Sequence, residues 1–116
     1  MNRKRLWITH FSLLLLFSTS TLTPAQANDS AQQANQILGT AGIKGGLIVH
    51  VGCADGRLTA ALGQRHCYTM QGLERDMAKV QQAREHIHSL GRYGRVSISQ
   101  WNSRRLPYAD GLVNLV

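Results

Sequence analysis

The sequence predicts an α/β fold built on a parallel sheet, and three observations carry that prediction. Short β-rich runs alternate with helical periodicities, the first run passes directly into a glycine-rich turn, and the clearest amphipathic helix follows the second run. Strands separated by helices pair in parallel through right-handed crossovers, with the helices layered on the sheet.

Taken in order, Asp29-Ser30 can cap a helix through Ala31, Ala34, Ile37 and Leu38, closed by Gly39 and Gly42. Leu47-Ile48-Val49-His50-Val51 is a β-branched run of the kind buried on both faces. Gly52-Cys53-Ala54-Asp55-Gly56 is a turn, and Leu58, Ala61 and Leu62 have helical spacing up to Gly63. Cys67 to Leu73 reads as a second strand. Asp76 then caps a helix with Met77, Val80, Ala83, Ile87 and Leu90 on one face and Gly91 as its stop. Val96 to Gln100 alternates as a third strand, residues 101–111 form a loop, and Leu112-Val113-Asn114-Leu115-Val116 begins a fourth. No helix signal follows that last run. One face of the sheet is therefore expected to be uncovered, as in a fold truncated after its fourth strand, with a C-terminal half or a fused domain supplied elsewhere.

The chain's 116 residues divide unevenly. Asn2-Arg3-Lys4-Arg5 is basic, Leu6 to Phe17 is mostly apolar, and Ala25-Gln26-Ala27 is small-x-small, the three parts of a secretory signal peptide. An uncleaved anchor is the alternative, but the apolar run is shorter than the ~20 residues a span requires and is interrupted by Thr9, His10 and Ser12. Residues 1–27 are thus expected to direct export to the periplasm or the extracellular space. Residues 28–116 are then one domain with no membrane span of its own. The formal charge of +7 falls to +4 once Arg3, Lys4 and Arg5 leave with the leader. The remaining basic residues are scattered without a stripe of interleaved aromatics, which gives no support to a nucleic-acid surface and favours a solvated face. An exported chain permits a disulfide, but Cys53 follows one strand and Cys67 opens its parallel neighbour, roughly 15 Å apart along the strand direction. Both are expected to be packed free thiols, and no metal-ligand cluster is expected.

Ligands of open parallel sheets sit beyond the carboxyl ends of the strands. The turn Gly52 to Gly56 is placed there: Gly52 permits the sharp exit from the strand, and Gly56 a close approach of ligand to backbone. A dinucleotide fingerprint G-x-G-x-x-G would need glycines where this chain has Ala54 and Arg57. Val51-Gly52-Cys53-Ala54-Asp55-Gly56-Arg57-Leu58-Thr59 instead resembles motif I, G-x-G-x-G, of the class I (Rossmann-like) S-adenosylmethionine-dependent methyltransferases. The resemblance covers roughly Ile37 to Val116. It implies a Rossmann-like three-layer sandwich and S-adenosyl-L-methionine as cofactor, with Gly52, Cys53, Ala54 and Gly56 around the cofactor's amino-acid end.

The chain departs from that pattern at Ala54, which replaces the second glycine, and at His50, where an acid is usual near the methionine amino group. His50 is expected to be a core histidine bonded to backbone, with a catalytic role as the alternative. A nucleoside needs a carboxylate for its ribose hydroxyls, and Glu74, 18 residues after Gly56, is placed at the end of the second strand to supply it. The segment Trp101-Asn102-Ser103-Arg104-Arg105-Leu106-Pro107-Tyr108 resembles the family's adenine-reading segment, which implies adenine contacts from Asn102 and Ser103. Asn114 falls where the family often has an acid near the transferred methyl, and it is expected to be an amide buried among Leu112, Val113, Leu115 and Val116. No catalytic residue is assigned. The chain also resembles, on fewer residues, the methyltransferase module of exported bacterial proteins that join such a domain to a β-propeller. A methyltransferase-like domain of unknown substrate, an exported binding module of the same fold without turnover, and a nicotinamide oxidoreductase half remain open.

Overall fold

The computed structural model describes residues 24–116. Most of the expected leader, residues 1–23, lies outside the described residues. The elements are α1 (Pro24–Ala41), β1 (Gly46–Val51), α2 (Arg57–Leu62), β2 (Tyr68–Glu74), α3 (Met77–Ser89) and β3 (Val96–Gln100). The three strands form a parallel sheet in the order β1-β2-β3, with Ile48 opposite Met70 and Met70 opposite Val96. The α/β parallel fold expected from the alternation of elements is the one observed.

Alternation along the strands places Ile48, Met70, Val96 and Ile98 on one face. That face packs against Ala34 and Leu38 of α1, Ala60 and Leu62 of α2, and Val80, Ala83 and Ile87 of α3, which form one buried cluster. All three helices therefore contribute to a single layer. The opposite face changes character across the sheet. Val49 and Leu73 are buried on it, whereas towards β3 the Gln71 amide donates to Ser99 Oγ (2.8 Å) and Ser97 donates to Gln71 Oε1 (3.0 Å).

α1 starts earlier than its expected cap. Pro24, pre-set for a first helical turn, opens it, and the helix runs through Ala25-Gln26-Ala27 with Asp29 and Ser30 inside. Gly39 is helical, and the stop is Gly42, whose φ of 66° allows its N–H to reach Leu38 O at 3.2 Å. α3 behaves as expected: Asp76 accepts from the Ala78 N–H at 2.9 Å, and Gly91 at φ 65° ends it. Its stripe is buried only in the middle, since Met77 and Leu90 at the two ends are exposed. β1 shows the same limit, with Val51 emerging at its carboxyl end.

The segment expected as a fourth strand makes only a short parallel bridge, Ile48 to Leu115, on the free side of β1. The Asn114 N–H donates to Leu47 O (2.8 Å) and the Val49 N–H to Leu115 O (2.9 Å). The chain thus passes from β3 at one edge to the far side of β1. This register corrects the expectation for Asn114. Its side chain is exposed, its Oδ1 accepts from the Leu47 N–H at 2.9 Å, and it stands over Gly46, at the amino end of β1. A residue level with Leu47 is at the opposite end of the strand from the glycine-rich turn. Cys53 and Cys67 are both free, as expected, but only Cys53 is buried. Cys67 stands just outside β2 and is exposed. Among the described residues, no helix is long and apolar enough to cross a membrane.

Candidate functional site

β1 ends at Val51, and the chain reverses at once. Gly52 has φ 75°, with its N–H on Leu73 O at 2.8 Å, so the turn is tied to the end of β2 from its first residue. A Cβ at Gly52 would meet nothing within 4 Å. The backbone there faces open space, as a ligand-approach position requires. The turn closes when the Gly56 N–H donates to Cys53 O at 2.9 Å, and Gly56 itself is left-handed at φ 79° and precedes α2.

Gly56 has a packing role that the sequence did not show. A Cβ on it would come within 2.9 Å of Ala83 Cβ and 3.1 Å of Ala83 Cα, so its bare backbone is what lets α3 lie against the start of α2. Ala54, at the position of the missing second glycine, is the one non-glycine residue with positive φ, 46°, among the described residues. Left-handed backbone crowds a Cβ against the following carbonyl. A tertiary bond holds it there: the Ala54 N–H donates to Glu74 Oε2 at 3.0 Å.

Glu74 is the hub of this end of the sheet. Nearly buried, it accepts from Ala54 through Oε2 and from the N–H groups of Arg75 (2.8 Å) and Asp76 (3.3 Å) through Oε1. Burial alone would raise its pKa, but the three amide donors and the nearby Lys79 charge outweigh that, and the carboxyl is held below its ordinary value. Hydrogen bonds to the turn and to its own strand end were not foreseen for this residue.

The turn forms one wall of a cleft of about 350 Å³, lined by His50, Gly52, Cys53 and Ala54 together with Asp55 and Arg57, and faced by Gln26, Asp29 and Ser30 of α1. Arg57 is fixed by Asp55, through Nε–Oδ2 at 3.2 Å and its own N–H on Oδ1 at 3.1 Å, and also bonds Gln26 Oε1. His50 is half-buried, and its partner is a side chain rather than the expected backbone group: Nδ1 lies 2.8 Å from Thr59 Oγ1. Burial lowers its pKa, with Glu74 pulling weakly the other way. The Cys53 thiol is pushed up to about 11, first by burial and then by the charge of Glu74.

The structure therefore brings Gly52, Cys53 and Ala54 to the cleft and joins Glu74 to it through Ala54. Asn102 and Ser103 stand apart. Both are exposed in the loop after β3 and do not line the cleft, and Ser103 Oγ accepts from the Arg105 N–H at 3.2 Å. Their loop is anchored to the same strand end, since the Trp101 N–H donates to Glu74 O (2.9 Å) and the Arg75 guanidinium lies over the Trp101 ring (5.6 Å). Sequence reasoning missed Arg57, Asp29 and Thr59. An Asp-x-Arg pair at a helix entrance was a visible signal for Arg57, whereas Asp29 and Thr59 join the site only through helix docking.

No family model matches the chain, and neither does any curated protein. Solved structures do. One described as an S-adenosyl-L-methionine-dependent methyltransferase from Methanococcus maripaludis superposes with a TM-score of 0.69 at 22% identity, over 75% of this chain and 40% of its own. The fold is the Rossmann-like methyltransferase fold. Geranyl diphosphate methyltransferase in complex with S-adenosylmethionine shares it at TM-score 0.63 and 24% identity, over 72% of this chain and 34% of its own. The glycopeptide N-methyltransferase MtfA complexed with sinefungin does so at 0.60 and 17%, over 72% and 35%. The chain thus spans between about a third and two fifths of the length of these methyltransferases. The methyltransferase fold also carries other chemistry: the (4+2)-cyclase SpnF matches at TM-score 0.60 and 20% identity.

Proposed function

We propose that the chain is a methyltransferase-like domain that binds S-adenosyl-L-methionine in the cleft at the carboxyl end of β1. One observation carries this reading. Open space over Gly52, the turn behind it and a nearly buried carboxylate at the end of the next strand converge at the place where parallel sheets take nucleoside ligands. The cleft's volume is at the lower end of the range for small-molecule sites.

In this reading Gly52, Cys53 and Ala54 surround the amino-acid end of the cofactor, and Gly56 keeps α2 and α3 close enough to hold the turn. Glu74 receives the ribose. Oε1 is engaged by two amides and Oε2 by one, which leaves a lone pair on Oε2 for a hydroxyl. Asn102 and Ser103 approach the adenine from the loop after β3. The cofactor supplies the transferable methyl on its sulfonium. This chain's residues bind and orient it, and the acceptor pocket is proposed to come from a C-terminal half or a fused domain. Residues 1–27 are proposed to be a signal peptide that exports the domain to the periplasm or outside the cell.

Calorimetry of the purified chain against S-adenosylhomocysteine and NAD tests the reading. Selective binding of S-adenosylhomocysteine, weakened in Glu74→Ala, is expected; preference for NAD would make the chain an oxidoreductase half. A second reading, a binding module of this fold without turnover, is favoured by the replacement of a glycine by the left-handed Ala54. Absence of binding to both ligands would support it.

A further inference from the structure

A second cavity, of about 320 Å³, lies on the helix layer between α1, α2 and the end of α3. It shares Ser30 and Arg57 with the cleft at the glycine-rich turn and none of that cleft's other lining residues. Ala31 of α1 and Ala60 and Ala61 of α2 form a floor of small side chains, and Leu90 adds an apolar edge. Such a surface favours an apolar body over water.

The charged lining is of one sign. Arg57, His86 and Arg92 face the cavity, and no carboxylate does so among the described residues. Arg57 is paired with Asp55, which leaves Arg92 as the uncompensated cation. Arg92 Nη1 donates to Ala60 O at 3.1 Å, while Nε and Nη2 have no partner among the described residues. Nε–H and one Nη2–H of a guanidinium are parallel, the fork that holds a carboxylate through two bonds. Because Nη1 is already tied to α2, less freedom is lost when that fork is filled. Burial lowers the pKa of His86, Arg57 adds to that, Asp55 opposes it and Arg92 lowers it further. An anion on Arg92 shifts this balance and favours the imidazolium as a second charged donor. One uncompensated cation matches one negative charge, which favours a carboxylate over a phosphate dianion. Residues 1–23 hold Arg3, Lys4 and Arg5 and no acid, so the chain's own N-terminal segment has the wrong charge for the site.

We propose that the cavity between the three helices is a second binding site, for a small monocarboxylate with an apolar body, gripped by the Arg92 guanidinium with its body on the alanine floor. The proposal does not depend on the cofactor reading above.

Proton–carbon spectra of the chain labelled at its alanine methyls, titrated with phenylacetate, phenylacetamide and acetate, test it. Phenylacetate is expected to shift the Ala31, Ala60 and Ala61 methyls saturably. Phenylacetamide lacks the charge and acetate the apolar body, and each is expected to bind roughly tenfold more weakly or worse. The His86 ring, assigned by its loss in His86→Gln, is expected to titrate at higher pH once the cavity is filled. Arg92→Gln should weaken phenylacetate roughly tenfold and leave phenylacetamide unchanged. Should that variant not fold, the three probes on the wild-type chain still decide. No saturable shift at the three methyls, or equal affinity for phenylacetate and phenylacetamide, overturns the proposal. So do shifts confined to the turn from Gly52 to Gly56, which would put the anion in the other cleft, and a His86 titration that does not move on saturation. Failure to bind S-adenosylhomocysteine would remove the cofactor reading and leave this site standing.

Discussion

Ala54 sits at φ 46°, where a side chain is disfavoured, and its N–H is clamped by Glu74. Replacing it by glycine removes left-handed strain worth roughly 1–2 kcal/mol and returns part of that as backbone entropy. Ala54→Gly is therefore expected to stabilise the fold by about 0.5 kcal/mol, read as a higher midpoint in urea. Titration at this end of the sheet acts in two windows. His50 has a folded pKa below 6.5, so the unfolded chain takes up protons first and stability falls as pH drops below that value; His86 acts in the same direction. Glu74 has a folded pKa below 4.5. Its contribution is fully present above that pH and is lost as pH falls through the folded value. In Glu74→Gln the low-pH loss should shrink and the loss below pH 6.5 should persist, which denaturation midpoints across pH 3–7 would show. The position of Glu74 was legible from its distance to the turn. Its three amide partners were not, because they depend on how the turn folds back over β2.

At the scale of elements, the start of α2 and the middle of α3 meet through Gly56 and Ala83 with no room for a methyl group. Gly56→Ala adds a clash to an unfavourable φ and is expected to cost roughly 2–4 kcal/mol. Pairing it with Ala83→Gly should recover part of that loss in a double-mutant cycle even though glycine in a helix costs about 1 kcal/mol on its own. The helix stripe of α3 and its Asp76 cap were readable because both are local patterns. The start of α1 was not: Asp29-Ser30 is a sound cap signal, and Pro24 is an equally sound first residue nearly two turns earlier. Thr59 and Ala60, the most buried residues of α2, lay off the stripe read from Leu58, Ala61 and Leu62. A six-residue helix packed against neighbours on several sides has no single apolar face to find.

The whole molecule depends on one long passage, from β3 around to the outer side of β1, which opens a crevice where the strand order reverses. Its far end is secured by Asn114, whose side chain and backbone both engage Leu47. Asn114→Ala is expected to speed hydrogen exchange at the Leu47 amide while leaving Met70, deep in β2, protected; equal acceleration at both would mean global unfolding instead. The sequence signalled a strand at residues 112–116, but period-2 patterning does not state register. That is why the exposure of Asn114 and its level beside Leu47 were not readable from the run itself.

The two thiols sit at opposite levels of the sheet, one sealed beside the cleft and one open at the amino end of β2. With its pKa near 11, Cys53 holds only roughly one thiolate in ten thousand at neutral pH. Maleimide dyes should therefore label Cys67 alone. The protein is born with a single addressable attachment point remote from the cleft at the glycine-rich turn, so the cofactor binding proposed there can be tested by fluorescence on the natural sequence.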